Sequence, residues 1–168
     1  MAAYTGRNIL IAVDNSADSE DAADWAAVNL YKPGDEFHLV HIIKDETEQL
    51  REYYQEKSLE VAANKFIQER FVPKLTAAGI TVVVDIVRKP DENAHPAAAI
   101  VKKADEVDAA CIVVVPHEHE FVEAAFHTSI AKWIVLNSKR AVTVLHPYRL
   151  GHTGKSSTGK SVHPAHIK

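Results

Sequence analysis

Five short apolar runs, separated by four segments of helical spacing, constrain this chain more than any other feature. "NILIAVD" (8–14) is a brief apolar run that ends in a polar group. "SADSEDAADWAAVNLY" (16–31) is Ala-rich and opens with Ser16 and acids, as a helix start should. Pro33 and Gly34 break it before the second run, "FHLVHII" (37–43). A long helical pattern then carries Tyr53, Leu59, Ala62, Ala63, Phe66, Ile67 and Val72 on one face, and Pro73 is expected to kink or end it near Val72. "TVVVDIV" (81–87), rich in β-branched residues, is the third run. "HPAAAIVKKADEVDA" (95–109) reads as a helix with Pro96 in its first turn, and "ACIVVV" (110–115) as the fourth strand. "TSIAKWIVLNS" (128–138), capped by Thr128 or Ser129, precedes the fifth strand, "AVTVLH" (141–146).

Continuous apolar strands alternating with helices predict an α/β fold: an open five-stranded parallel sheet with helices on both faces. Such sheets bind ligands beyond the carboxyl ends of their strands, where strand order reverses. The groups expected there are Asp14–Asn15, Ile42–Lys44, Arg88–Lys89 and Pro116–His119.

The chain's 168 residues suit one domain with a real core. Cys111 is the only cysteine, which excludes an intrachain disulfide and suits a reducing compartment, so a cytoplasmic location is expected. No apolar run is long enough to span a membrane, and the opening residues lack a signal-peptide core. The net charge of −4 conceals a division. Residues 1–123 hold all 23 acidic residues and 12 basic ones, a net −11, whereas 124–168 hold 7 basic residues and no acidic one. The acidic body argues against nucleic acid as a partner. Residues 1–147 are expected to form the domain, and 148–168 a flexible basic tail rich in Gly, Ser, Lys and His.

That tail contains "GKSSTGKS" (154–161), which satisfies the phosphate-loop pattern G-x-x-x-x-G-K-[ST]. The pattern works only where a strand feeds the loop and a helix leaves it. Only "VHPAHIK" follows, with Pro164 inside it, so a solvated tail is the preferred reading.

"NILIAVDNSADSEDAADWAAVNLYKPGDEFHLVHII" resembles the opening of the universal stress protein family, as do "ADEVDAACIVVV" and "TSIAKWIVLNSKRAVTVLHP" further along. The resemblance covers roughly residues 6–147. It implies strand order 3-2-1-4-5 in a Rossmann-like, adenine nucleotide alpha hydrolase-like sheet, and a homodimer through the fifth strand. In one branch of the family it also implies an adenine-nucleotide site. By that resemblance Asp14 matches the Asp that contacts adenosine, and Ile42 the backbone contact to adenine. The family's phosphate loop after strand four, Gly-x-x-Gly, a spacer, then Gly-Ser or Gly-Thr, falls on "PHEHEFVEAAFHTS". There Pro116 stands at the first Gly, His119 near the second, and Thr128–Ser129 at the Gly-Ser, while Lys132 replaces an Asn near the phosphates.

This departure has physical weight. The glycines are at 6, 34, 79, 151, 154 and 159, so none lies between the third strand and the tail. Glycine lets a phosphate loop take positive φ and approach closely, and Pro116 removes a backbone donor. Glu118 and Glu120 add negative charge where a triphosphate would lie. Thr128 or Ser129 still caps a helix whose N-terminus favours an anion, which leaves room for a smaller one beside Lys132. A tight triphosphate site is not expected; no cofactor is required, and ATP or AMP is the candidate.

His117, His119 and His127 could share a metal ion, but without cysteine support a surface or capping role is preferred and no metal is expected. His41 reads as a satisfied core histidine, Asp14 as an N-cap or a ribose contact, and Trp25 and Trp133 as helix-to-sheet packing. No nucleophile elbow or paired catalytic carboxylates are found. The expectation is a non-catalytic, dimeric stress-response module that binds an adenine nucleotide or smaller anion weakly. The alternatives are a purely structural interaction module with its nucleotide site lost, or a weak nucleotide hydrolase.

Overall fold

The computed structural model describes residues 4–43, 56–88, 93–116 and 129–146. In chain order these form β1 (Asn8–Ala12), α1 (Ala17–Asn29), β2 (Glu36–Ile43), α2 (Glu56–Arg70), α3 (Val72–Ala77), β3 (Thr81–Arg88), α4 (Ala97–Glu106), β4 (Ala109–Val114), α5 (Ile130–Asn137) and β5 (Ala141–Val144). All five strands pair in parallel in the order β3-β2-β1-β4-β5. The expected α/β architecture and strand order are therefore present.

Strand periodicity sorts the core into two layers. Ile9, Ile11 and Val13 face one side with Phe37 and Leu39, packed by α1, α2 and α3. Leu10 and Val40 face the other with Ile112 and Val114, packed by α4 and α5. Helix α1 buries Ser19, Ala22, Ala23 and Ala26, a stripe at helical spacing whose small side chains let it lie close to the sheet. Helix α4 does the same with Ala97, Ile100 and Ala104. Both faces are covered, which is why the strands read as unbroken apolar runs.

The long helix ends beside Pro73, as one of the two outcomes expected, but Pro73 also begins another. The helix ends at Arg70, and Pro73 opens a new one as an early residue of α3, where its missing N–H costs nothing. The amino ends of β1 and β2 are closed by a clasp. Asp35, 2% exposed, accepts from the Arg7 guanidinium at 2.7 Å, the Arg7 amide at 2.8 Å and the Lys32 amide at 3.0 Å, and also from the Tyr4 hydroxyl. Gly6 lies against the Gly34 carbonyl so closely that a Cβ there would collide with it, and Gly34 itself has φ of 99°. With one end clasped, the free ends of the strands lie at the opposite, carboxyl edge.

Candidate functional site

At the carboxyl edge the sheet opens into a cavity of about 170 Å³. It lies over the ends of β1, β2 and β4, with Ile100 of α4 and Ile130 of α5 on its wall. This is where strand order reverses: β2 continues the sheet on one side of β1, and β4 on the other. Pairing persists to its rim, because the Val13 amide donates to the Val40 carbonyl at 2.9 Å and the Leu145 amide to the Val114 carbonyl at 3.0 Å.

Asp14 and Ile42, both singled out by the sequence, line this cavity. Asp14 Oδ1 accepts from the Ser16 amide at 2.9 Å and the Ser19 hydroxyl at 2.8 Å, and Ser19 Oγ in turn accepts from the Asp14 amide at 3.1 Å. Ser16 is the N-cap of α1, its side chain accepting from the Ser19 amide at 3.1 Å. The cap is thus Ser16 rather than Asp14, whose carboxylate sits two residues upstream and braces the loop. Arg70 at the end of α2 donates to the Asn15 carbonyl at 3.1 Å and pairs with Glu20, which anchors the same loop from outside.

His41 lies half-buried on the cavity wall. Its Nδ1 is 2.8 Å from the Val13 carbonyl, which can only accept, so Nδ1 carries a hydrogen. Its ring meets Phe66 of α2 edge-on at 5.1 Å. The histidine is satisfied, as expected of a core residue, and it is also a wall residue. At the start of α4 the His95 Nδ1 accepts from the Ala97 amide at 3.2 Å, and its ring stacks on Trp133 of α5 with centroids 5.2 Å apart and planes 2° from parallel. That stack ties together the two helices whose first turns border the cavity.

Ser129 caps α5, its Oγ accepting from the Lys132 amide at 3.2 Å. Its neighbour Ile130 reaches the wall. Lys132 is exposed and Pro116 is buried, and neither is among the residues that line the cavity. Thr128 lies outside the described residues, as do Glu118, Glu120, the histidines 117, 119 and 127, and the tail with "GKSSTGKS". The structure therefore brings Asp14, Ile42 and the start of α5 together and leaves Lys132 apart. Sequence reasoning missed Ser19 as the partner of Asp14, and missed the wall roles of Ile100 and Ile130. The signal for Ser19 was present: it stands three residues after the cap, on the buried stripe of α1.

Among the described residues no group of three or more His, Cys, Asp or Glu could hold a metal ion. None of their helices is long and apolar enough to cross a membrane. The polar side chains among the described lining residues are a carboxylate, a hydroxyl and an imidazole, framed by apolar side chains.

A sequence profile of the universal stress protein family matches residues 6–146. No curated protein sequence matches the chain. Several solved structures share its fold. A universal stress protein family member from Burkholderia pseudomallei aligns with a TM-score of 0.64 at 15% identity, over 86% of this chain and 98% of that one. The universal stress protein from Archaeoglobus fulgidus in complex with dAMP aligns with a TM-score of 0.59 at 20% identity, over 84% and 98%. A universal stress protein family protein from Arabidopsis thaliana with AMP bound aligns with a TM-score of 0.54 at 17% identity, over 83% and 90%. With the strand order, the cavity at its reversal point and the profile match over most of its length, the chain belongs to the universal stress protein family.

Proposed function

We propose that the chain is a non-catalytic stress-response module of the cytoplasm that works as a homodimer through β5 and holds an adenine nucleotide weakly in the cavity at the carboxyl edge. The observation that carries this reading is the position of Asp14: a carboxylate at the end of β1, braced by Ser16 and Ser19, on the wall of a cavity at the point of strand reversal. A carboxylate held there suits the hydroxyls of a ribose. Relatives of the same fold from Archaeoglobus fulgidus and Arabidopsis thaliana hold dAMP and AMP.

A binding role fits the groups better than catalysis. Ser19 is 3% exposed and its hydroxyl is engaged with Asp14, so it is a positioning group rather than a nucleophile. The cavity is also small beside the roughly 300–1,000 Å³ of ordinary ligand pockets, so its described walls suit one part of a nucleotide. Pro116 removes one backbone donor that a triphosphate could use, and no glycine lies between β4 and β5 to let the loop take positive φ and approach closely. A charge-assisted hydrogen bond contributes on the order of 1.5–3 kcal/mol, so the loss of one weakens ATP by about one to two decades.

Calorimetric titration with AMP, ADP and ATP, with and without Mg²⁺, tests this. The expected result is one site per chain, with AMP binding and ATP weak or silent. Sub-micromolar ATP affinity, or release of inorganic phosphate during the titration, would contradict it.

A further inference from the structure

We propose that His38 is a proton-operated lock: a second proton on its ring gives each ring nitrogen a carboxylate partner and fastens β2 to β3 beneath α4. The site lies outside the cavity, and the inference does not depend on what the cavity holds.

His38 is the third residue of β2, opposite Leu10 of β1 and Val83 of β3. Two residues before Val40, it points to the same face of the sheet, the one that α4 covers. A polar side chain only 8% exposed in an apolar strand needs partners. Its Nδ1 lies 3.0 Å from Asp85 Oδ2 on β3. Its Nε2 lies 3.1 Å from Glu36 Oε1, yet it makes no hydrogen bond among the described residues. An ionised carboxylate only accepts, and a neutral imidazole has one hydrogen to give. Whichever nitrogen carries that hydrogen, the other turns a bare lone pair to a carboxylate. A second proton removes the conflict. The Glu36 side chain is 37% exposed, so its carboxylate has room to swing into line with an Nε2–H.

The charges on the neighbouring elements support the same reading. The other oxygen of Asp85 lies 3.3 Å from Lys103 Nζ on α4. Lys103 also meets Glu106 at 3.2 Å, and Lys102 reaches Glu106 at 3.9 Å. From β1 comes only the uncharged Asn8, opposite Glu36, which donates to the Val107 carbonyl at 2.5 Å. Arg88, at the end of β3, pairs with Glu60 of α2 at 2.9 Å. Two carboxylates therefore flank the ring, and Lys103 touches only the far oxygen of one. Burial opposes a charged ring, while carboxylates in contact with both nitrogens favour it. The protonated ring completes a chain of contacts from Glu36 through His38 and Asp85 to Lys103, which spans β2, β3 and α4. A histidine that gains partners on protonation adds stability in acid and loses it as pH rises.

The test is urea denaturation of the full chain and of His38→Gln between about pH 6 and about pH 8.5, where ordinary carboxylates and lysines keep their charge. The expected result is that the stability advantage of wild type over the variant, read as a ratio of unfolding constants, grows about tenfold or more towards pH 6. A ratio that stays constant across this range overturns the lock and leaves His38 a packing residue. Glu36→Gln offers the neutral ring a donor, so its stability should depend on pH less than half as strongly as that of wild type. An unchanged dependence in that variant also overturns the proposal. Should His38→Gln fail to fold, the ¹⁵N shifts of the His38 ring in the wild type decide. Two hydrogens at about pH 6 and one at about pH 8.5 are expected, and the same number at both overturns the lock.

Discussion

Asp14 gathers two donors on one oxygen at the end of β1, and each belongs to the first turn of α1 or its cap. Removing the carboxylate leaves the buried Ser19 hydroxyl and the Ser16 amide without that acceptor. An unsatisfied buried polar group costs about 1–3 kcal/mol. Asp14→Ala is therefore expected to lose about that much in urea denaturation, and Asp14→Asn, which keeps a carbonyl oxygen, clearly less. Equal losses in the two variants would show that the charge, and not the hydrogen bonds, holds the loop. Asp14 was legible in the sequence because it ends an apolar run at the edge where α/β sheets bind ligands. Its exchange of hydrogen bonds with Ser19 was not, because that depends on how the four residues between them turn. Lys132 shows the opposite limit: its place near the start of a helix was legible, but its side chain lies outside the cavity.

At the scale of elements, the strands were legible within a residue or two because both faces of the sheet are buried and the apolar runs are continuous. The break near Pro73 was legible too, but not the fact that a second helix begins there. Proline forbids the interior of a helix and suits its first turn, and only the local path of the chain decides between them. The edge strand β5 carries the dimer proposal. It pairs with β4 on one side only, and Val142 and Val144 are half-buried on it. A second strand would complete the open edge by two-fold pairing. Val144→Lys should convert dimers to monomers in sedimentation velocity; a wild-type monomer at micromolar concentration would overturn the proposal. Helix α4 provides a pH-dependent contact with β3. Lys103 lies 3.3 Å from Asp85 and 3.2 Å from Glu106. Burial lowers its proton affinity, but the hydrogen bonds and charges of Glu106 and Asp85 together outweigh burial and raise its pKa above 10.5. A raised lysine value means that its stabilisation is fully present below pH 10.5 and is lost as pH rises past the folded value. Lys103→Met should cost up to about 1 kcal/mol near neutrality, with the gap to wild type closing in alkaline buffer. A gap that holds constant across that range would assign the cost to packing.

For the whole molecule, one end is clasped by Asp35, Arg7 and Gly6, while the other opens at the strand ends over a cavity whose described wall is mostly apolar. The same chain carries a phosphate-loop pattern in residues 154–161, outside the described residues, which the sequence reads as a solvated tail. The central claim is that the cavity, and not that segment, holds any bound adenine compound. Amide chemical-shift mapping during titration with AMP decides between them most directly. The account predicts that the moving resonances are those of Val13 to Ser19, Ile42 and Ile130, with Gly154 to Ser161 unmoved. Shifts concentrated in Gly154 to Ser161, with Asp14 and its neighbours unchanged, would contradict it.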